Sequence, residues 1–151
     1  MKEELLTQIR KLNQQYSYTS LQMHEAIGRK AGLSGTDHKY LGFLIVKGEM
    51  TAGELSKLTG LTTGAITGLI DRFEKKKLVK RQFAEDDRRK VIIKPDTEKI
   101  MALFEPLYKE FRSETEKLAA SFSNEEIKII EAYFSGSIEI MNEITKKLNS
   151  K

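Results

Sequence analysis

The sequence of 151 residues has no cysteine, only two prolines and no low-complexity tract. The absence of cysteine excludes a thiol nucleophile, a thiol redox sensor and a zinc site with cysteine ligands. No apolar run approaches the roughly 18 residues that a membrane-spanning helix needs, and the mixed-charge N-terminal segment lacks the apolar region of a secretory signal peptide. We therefore expect a cytoplasmic globular chain of about one domain.

Patterns that support catalysis are also missing. The chain has no P-loop, no dinucleotide fingerprint and no pairing of a nucleophile with a base, and the adjacent acids Glu125 and Glu126 are explained by helix capping. The two histidines, His24 and His38, have no second histidine at helical spacing, and we expect ordinary surface or interface residues. The sequence predicts no enzymatic activity, no cofactor and no metal site.

Positive charge is concentrated in one part of the chain. Residues 60–94 contain ten Lys or Arg against five Asp or Glu. The other 116 residues contain 16 bases and 17 acids, so the whole positive excess lies in this one window. A localised basic patch is typical of proteins that bind a polyanion, although a solvated surface segment would give the same count.

Both ends of the chain carry apolar residues at alternating spacings of four and three. The N-terminal series predicts one helix over about residues 2–31, and Ser123 and Glu126 form a capping box before the last helix. A third series over 96–120 predicts a helix that Pro106 should kink or interrupt. Such seams serve either an intramolecular core or a dimer. The N-terminal seam consists of Leu5, Ile9, Leu12, Tyr16, Thr19, Met23 and Ile27, and the C-terminal seam of Ile127, Ile130, Phe134, Met141, Ile144 and Leu148.

The middle of the chain contains the signals of a helix-turn-helix followed by a hairpin. Capping boxes run from Ser34 to Asp37 and from Thr51 to Glu54, and Thr62 is the predicted N-cap of a further helix. The β-type runs "LVKRQF" and "VIIK" flank "AEDDRRK", which indicates a hairpin. We predict a mostly α-helical fold with a small β-wing, in which a winged helix-turn-helix stands between long end helices.

The second helix of a helix-turn-helix enters the major groove, so residues 62–76 are the predicted DNA-reading helix. Hydroxyls and glycines on its exposed face allow close approach to base edges, although the glycines could instead accommodate a neighbouring helix. Arg72, Lys75 and Lys76 are better placed for phosphates. The exposed face consists of Thr62, Thr63, Gly64, Thr67, Gly68 and Asp71, and the predicted buried stripe of Ile66, Leu69, Ile70 and Phe73.

The run "TAGELSKLTGLTTGAITGLIDRFEKKKLVKRQFAEDDRRKVII" closely resembles the winged helix-turn-helix of the MarR (multiple antibiotic resistance regulator) family. The pieces "GLTTGAITGLIDR" and "DDRRKV" are the most similar. The resemblance implies a homodimeric transcriptional regulator, usually a repressor, that binds a pseudo-palindromic operator and is often released by a small aromatic or phenolic ligand. It further implies a DNA-binding part over 33–95 and a helical dimerisation part formed by 1–32 and 96–151.

The resemblance also assigns roles to single residues. Thr62, Thr63 and Thr67 fall where the family's recognition helix meets the major groove. Asp87 and Arg89 match the family's Asp-x-Arg wing motif, in which the arginine enters the minor groove and the aspartate holds it in position. A narrow minor groove concentrates negative potential and attracts arginine, which agrees with that role.

The rest of the wing, residues 84–90, adds further positive charge. Two departures from the family pattern lie on either side of it in the sequence. Arg88 and Lys90 flank Arg89 and are predicted to contact phosphates. Lys77 stands where the family usually has glycine, so it must either adopt a left-handed conformation or end the helix differently. The segment around Pro95 has one residue more than the family pattern before the next helix.

An effector site is the least specific part of the interpretation. Tyr16, Met23, Tyr40 and Phe43 could line an aromatic ligand pocket, but aromatic residues at helical spacing more often belong to a core. Two functions from different classes therefore stay open. One is an operator-specific dimeric regulator, and the other is a winged-helix module for protein association or a non-specific architectural DNA binder. An arginine oriented by Asp87 favours the first.

Overall fold

The structure, a computed structural model, describes residues 1–34 and 36–150. These residues form the mostly helical fold with a small β-wing that the sequence predicts. None of the described helices is both long enough and apolar enough to cross a membrane. In chain order the elements are α1 (Lys2–Lys30), α2 (Asp37–Lys47), β1 (Met50–Thr51), α3 (Ala52–Thr59), α4 (Thr63–Lys75), β2 (Val79–Phe83), β3 (Val91–Pro95), α5 (Thr97–Ala120) and α6 (Asn124–Asn149).

The chain divides into two compact units, Met1–Tyr108 and Lys109–Lys151. The first unit contains α1 to β3 and the first half of α5, and a single apolar core lies within it. All four members of the predicted α4 stripe belong to this core, which confirms the helical register of the sequence interpretation. The largest fully buried side chains are Phe73, Leu41, Leu44, Leu55, Ile66, Leu69, Ile70, Leu78, Ile93, Ile100 and Val79.

Local hydrogen bonds set the ends of the two helices of the helix-turn-helix. The Thr51 hydroxyl oxygen accepts from the Glu54 amide at 3.1 Å, and the Thr62 hydroxyl oxygen accepts from the Ala65 amide at 3.2 Å. Between these caps α3 ends at Gly60, whose φ of 74° is in the left-handed region that glycine adopts without strain. The caps at Thr51 and Thr62 and the turn between the helices are confirmed, whereas the return bond from the Glu54 side chain, which a full capping box needs, is not among the hydrogen bonds of the described residues.

The sheet extends the predicted hairpin by one short strand. Its order is β1-β3-β2, with both pairings antiparallel, and Arg81 and Met50 stand on either side of Ile93 in the register. The sequence did not predict β1, because a strand of two residues has no periodicity of its own. The three strands place the hairpin loop, residues 84–90, at one end of the sheet.

The helix α4 ends in a left-handed residue that is not glycine. Lys77 has φ 59°, its amide donates to the Glu74 carbonyl, and the Leu78 amide donates to the Phe73 carbonyl, both at 2.9 Å. These two bonds form a Schellman motif, and the burial of Leu78 and Phe73 supplies its usual apolar contact. Of the two alternatives for Lys77, the structure adopts the left-handed one.

Two expectations about helix starts and interruptions hold only in part. The Ser34 hydroxyl oxygen accepts from the Asp37 amide at 3.4 Å, as predicted, but the N-cap of α2 is Thr36, and the Asp37 side chain pairs with Arg72 instead of completing a capping box. Gly35, inside that predicted box, lies outside the described residues. Pro106 does not interrupt α5, which is continuous over Thr97–Ala120. The capping box of Ser123 and Glu126, in contrast, is confirmed at the start of α6.

The segment around Pro95, which has one residue more than the family pattern, passes from β3 into α5 with only Asp96 between them. Pro95 is the last residue of β3 and stands opposite Val79, at a strand end where a missing amide proton costs little. The following Asp96 donates its amide to the Leu78 carbonyl at 2.9 Å, and its side chain accepts from the Lys99 amide at 3.1 Å. Asp96 therefore caps α5, and the helix begins directly after the strand.

Candidate nucleic-acid interface

The exposed face of α4 carries the three threonines that the sequence assigns to DNA. Thr62, Thr63 and Thr67 are all exposed. The Thr62 oxygen already accepts the capping hydrogen bond, so its hydroxyl proton is available to a phosphate or base acceptor. The Thr67 hydroxyl donates to the Thr63 carbonyl at 3.0 Å, which leaves its oxygen available as an acceptor and its methyl group for contact with thymine.

The glycines of this face are not required by packing within the chain. A Cβ atom added to Gly64 would have no described atom within 4 Å, and one added to Gly68 would meet only the tip of Arg72 at 3.4 Å. The alternative that Gly64 accommodates a neighbouring helix of the same chain therefore has no support among the described residues. Without side chains at these glycines, the backbone at the start of α4 can approach the floor of a DNA groove closely.

The hairpin loop presents an arginine that is exposed and yet oriented. The Asp87 carboxylate accepts from the Arg89 amide at 2.9 Å and from Arg89 Nε at 3.2 Å. The Arg89 side chain is nevertheless 91% exposed. The hydrogen bond from the Arg89 backbone amide, followed by that from its side chain, lowers the pKa of Asp87 below its ordinary value, so the carboxylate stays charged. Asp87 thus contacts Arg89 in the way that the wing motif implies.

Further exposed cations surround these two features. Arg88 and Lys90 flank Arg89 at the tip of the loop, where the Lys90 amide donates to the Asp87 carbonyl at 3.1 Å and closes a turn. Lys75 and Lys76 are exposed at the C-terminal end of α4. The predicted phosphate contacts of these four residues stay predictions, since no nucleic acid is part of the structure.

Arg72, the remaining predicted phosphate contact, has a protein partner. Its Nε and Nη2 atoms donate to the two carboxylate oxygens of Asp37 at 2.7 and 2.9 Å. Asp37 is only 4% exposed, and it is the one buried charged residue of the described chain. The hydrogen bond to Asp37 is the largest cause that raises the pKa of Arg72. No local sequence pattern predicts this pair, because 35 positions separate the two residues.

A second arginine, also missed from the sequence, joins α4 to the sheet. Arg81 of β2 donates from Nη1 to Glu74 at 2.7 Å and from Nη2 to Asp71. Its backbone amide donates to Glu74 as well, at 3.3 Å. The hydrogen bond to Asp71 is the largest cause that raises the pKa of Arg81. Arg81 thereby offsets one of the two negative charges that these acids place on the exposed side of the recognition helix.

Of the two settings expected for the histidines, surface or interface, the structure shows the second, since both contact the same tyrosine of another helix. His24 Nδ1 lies 2.5 Å from the Tyr108 hydroxyl oxygen, and the same oxygen lies 3.0 Å from His38 Nε2. The two imidazole rings stack with centroids 5.8 Å apart, and both residues are half-buried. Burial, followed by the charge of His24, lowers the pKa of His38, and burial raises the pKa of Tyr108. No group of three or more His, Cys, Asp or Glu in the described part of the chain is arranged to hold a metal ion.

The four residues of the predicted ligand pocket differ in their surroundings. Tyr40 and Phe43 lie side by side on α2, with ring centroids 6.4 Å apart, and Lys39 Nζ stands 4.9 Å above the Tyr40 ring. Tyr40 is half-buried against the core. Met23 is half-buried on α1, whereas Tyr16 is mostly exposed. A ligand site at these residues stays a prediction.

Comparison with known proteins supports one family for the fold and the sequence alike. A model described as "MarR family" matches residues 31–90. The uncharacterised HTH-type transcriptional regulator YcgE of Bacillus subtilis is 39% identical over 128 residues, which are 83% of this chain and 80% of that protein.

Solved structures show the same fold over nearly the whole chain. A MarR family protein from Bacillus stearothermophilus is 26% identical, covers 94% of this chain and 99% of its own, and superposes with a TM-score of 0.71. Streptococcus pneumoniae FabT, solved in complex with DNA, is 20% identical, covers 92% of this chain and 99% of its own, and has a TM-score of 0.72.

Proposed function

Because the chain belongs to the MarR family of winged helix-turn-helix transcriptional regulators, we propose that it binds a pseudo-palindromic operator as a homodimer and acts as a cytoplasmic repressor. In this proposal residues 62–76 enter the major groove, with Thr62, Thr63 and Thr67 at the bases. The wing, residues 84–90, enters the minor groove with Arg89. Lys75, Lys76, Arg88 and Lys90 contact the phosphates.

The observation that carries this proposal is the pairing of Asp87 with Arg89. An arginine that is 91% exposed would ordinarily sample many rotamers, and fixing one of them on binding costs free energy. Arg89 donates two hydrogen bonds to the Asp87 carboxylate, which hold its backbone and its Nε atom in advance, so less conformational entropy is lost when the side chain enters the groove. A wing that served protein association would not need an oriented cation of this kind.

The homodimer is supported by apolar side chains that a single chain leaves uncovered. Met141 and Leu148 of the C-terminal seam are exposed, as are Leu5 and Leu12 of the N-terminal seam, and no residue of α6 is buried. Exposed apolar surface on this scale marks a protein interface in most soluble proteins. A two-fold symmetric dimer also matches the symmetry of a pseudo-palindromic operator, in which each subunit reads one half-site.

The direct test is selection of bound sequences from a random duplex library by the wild-type protein. We expect enrichment of an inverted repeat whose half-sites are about one helical turn apart. Steep salt dependence without any enrichment would indicate a non-specific architectural binder. No DNA binding at all would indicate the protein-association alternative.

An effector is proposed on weaker structural support, which is the pair of half-buried aromatic rings of Tyr40 and Phe43. A small phenolic compound that stacks on these rings would lower operator affinity if it bound the DNA-free form preferentially. Titration of the selected operator complex with simple phenols tests this part separately. If no phenol changes the affinity, the effector proposal fails and the DNA-binding proposal is unaffected.

A further inference from the structure

Arg72 stands on the recognition helix, and its environment differs from that of the other cations there. Lys75 and Lys76 have no hydrogen-bond partner among the contacts of the described side chains, whereas Arg72 makes a two-pronged contact with Asp37 of α2. The side chain of Arg72 is still 56% exposed. The exposure and charge of Arg72 alone therefore suggest a phosphate contact. Its two hydrogen bonds to Asp37 suggest instead that it holds α4 against α2.

Charge and burial decide between these two roles. Asp37 is a buried carboxylate, and removing it from water is unfavourable unless its oxygens are paired. Arg72 supplies both donors, at 2.7 and 2.9 Å, in the parallel geometry that only a guanidinium offers. The pair has almost no net charge, so Arg72 adds little to the attraction between α4 and a phosphate.

The position of the pair shows what it holds. Asp37 is the first residue of α2, and Arg72 lies in the last turn and a half of α4. On the other side of the same stretch of α4, Arg81 of β2 pairs with Asp71 and Glu74. Arg72 therefore connects α4 to α2, and Arg81 connects α4 to the sheet that carries the wing. Together with the buried stripe of α4, these contacts hold the helix against its neighbours and so contribute to the direction in which its N-terminal threonines point.

We propose that Arg72 is a positioning residue for DNA recognition, which holds α4 against α2 through Asp37 and makes no phosphate contact of its own. This inference rests on the proposed operator binding. It removes Arg72 from the set of DNA contacts and adds Asp37, a buried acid, to the residues on which specific binding depends. A misdirected recognition helix would still meet phosphates, but its threonines would miss the base edges.

The test measures dissociation constants for the selected operator and for a scrambled duplex of the same composition, over a series of salt concentrations. The variants are Asp37→Asn, which keeps the shape of the side chain, Arg72→Gln, which shortens the side chain and removes the guanidinium, and their combination. We expect each single variant to weaken operator binding roughly tenfold, as expected for the loss of a charged hydrogen bond. The double variant should be no weaker than either single one, since both remove the same contact. The double variant keeps the net charge of the pair, so its binding to the scrambled duplex and its salt slope should match those of the wild type.

Arg72→Lys separates positioning from phosphate contact. Lysine keeps the charge and reaches a phosphate, but it cannot donate two parallel hydrogen bonds to Asp37. A positioning role therefore predicts that Arg72→Lys is as weak as Arg72→Gln. A phosphate role predicts that Arg72→Lys binds like wild type, that Arg72→Gln lowers the salt slope by roughly 0.9 per subunit, and that Asp37→Asn does not weaken binding. That set of results would overturn the proposal.

Two controls complete the design. Lys75→Gln, on the same helix and exposed, should weaken operator and scrambled duplex equally, as a phosphate contact does. Melting curves followed by circular dichroism establish that each variant is folded at the assay temperature, and if Asp37→Asn unfolds, the two Arg72 variants decide the question. If the wild type shows no preference for any operator, operator binding itself is wrong. If the wild type prefers the operator to the scrambled duplex and the Arg72 variants prefer it equally strongly, operator binding stands and only the positioning role is wrong.

Discussion

The winged helix-turn-helix and the two long end helices follow similar apolar periodicities but bury them to different extents. In α4 the stripe residues Ile66 and Phe73 are fully buried. In α1 and α6 the seam residues Leu5 and Leu148 expose 58% and 79% of their surface. The first region therefore completes its core within one chain. The seams of the end helices match the pattern of a core whose other half is supplied by a second copy.

The largest effect is expected from a charge placed in the C-terminal seam. Ile144→Glu should weaken the proposed dimer by more than about 100-fold, because burying an isoleucine contributes about 2 kcal/mol per subunit and an unpaired buried charge adds a further penalty. Sedimentation velocity at several protein concentrations measures the change. Because the winged helix-turn-helix completes its core within one chain, the NMR chemical shifts of the backbone amides of residues 33–95 should not change in this variant.

Lys128→Glu is the matched control, since Lys128 is an exposed residue of the same helix outside the seam and pairs only with Glu125. It should leave the dimer unchanged. If Ile144→Glu also leaves the dimer unchanged, the C-terminal seam is not the dimer interface. If it unfolds residues 33–95, the two regions are not independent.

The next largest effect is expected at the wing and should be confined to DNA binding. Arg89→Ala removes one minor-groove contact per subunit, and at about 1–3 kcal/mol for such a contact operator affinity should fall by about 5-fold to 150-fold for each half-site. Fluorescence anisotropy with the selected operator measures it, and the dimer should stay intact. Asp87→Asn should produce a smaller loss of operator affinity, because it keeps Arg89 and only weakens the hydrogen bonds that orient it.

A smaller effect, on stability, is expected where α4 leaves the core. Lys77→Gly should raise the free energy of unfolding by about 1 kcal/mol, because a left-handed conformation is strained for lysine and ordinary for glycine. Urea denaturation measures the gain. Lys77→Ala is the control, since it removes the charge and keeps the strain. A gain as large with alanine would assign the effect to charge repulsion among the neighbouring lysines.

The smallest effect is a pH dependence at the point where α1 meets the winged helix-turn-helix. His38 is surrounded by His24 of α1 and Tyr108 of α5, and Asp37 precedes it on α2. Its pKa is lowered from 6.5, chiefly by burial, so the unfolded chain binds this proton more readily than the folded chain. The free energy of unfolding should therefore be unaffected above pH 6.5 and should fall as the pH drops from 6.5 towards the lowered pKa.

Denaturation midpoints over that pH range measure this slope, and His38→Gln should flatten it. If the slope persists in His38→Gln, another group is responsible. If the slope runs in the opposite direction, the histidine is charged in the folded state. His24→Gln provides the companion measurement, because it removes the neighbouring charge and should reduce the slope without abolishing it.

Features that depend on residues within a few positions of one another could be predicted from the sequence. The caps at Thr51 and Thr62, the turn at Gly60 and the hairpin around the wing are all of this kind. Each is set by a hydrogen bond or a backbone conformation that neighbouring residues determine. The register of the α4 stripe belongs here too, because one helical turn decides which face is apolar.

Contacts between distant residues could not be predicted. Tyr108 lies 84 positions from His24 and 70 from His38, and no local pattern connects them. Arg72 and Arg81 look like any other bases of a positive window, and only the fold shows that one pairs with Asp37 and the other with Asp71 and Glu74. For Pro106, only the expected interruption is wrong, because the structure keeps α5 continuous through it.

Gly28 sets the rotational position of the longest helix. It is the only buried residue of α1, and a Cβ atom there would stand 2.8 Å from the Cβ of His38, closer than two such atoms can approach. If α1 rotated by one residue about its long axis, the side chain of Ile27 or Arg29 would be forced into that space. Because α1 is continuous over Lys2–Lys30, the direction of its N-terminal seam is fixed by the same contact. The angle at which a second copy could approach this helix is therefore determined some twenty residues away, by the one position where α1 has no side chain.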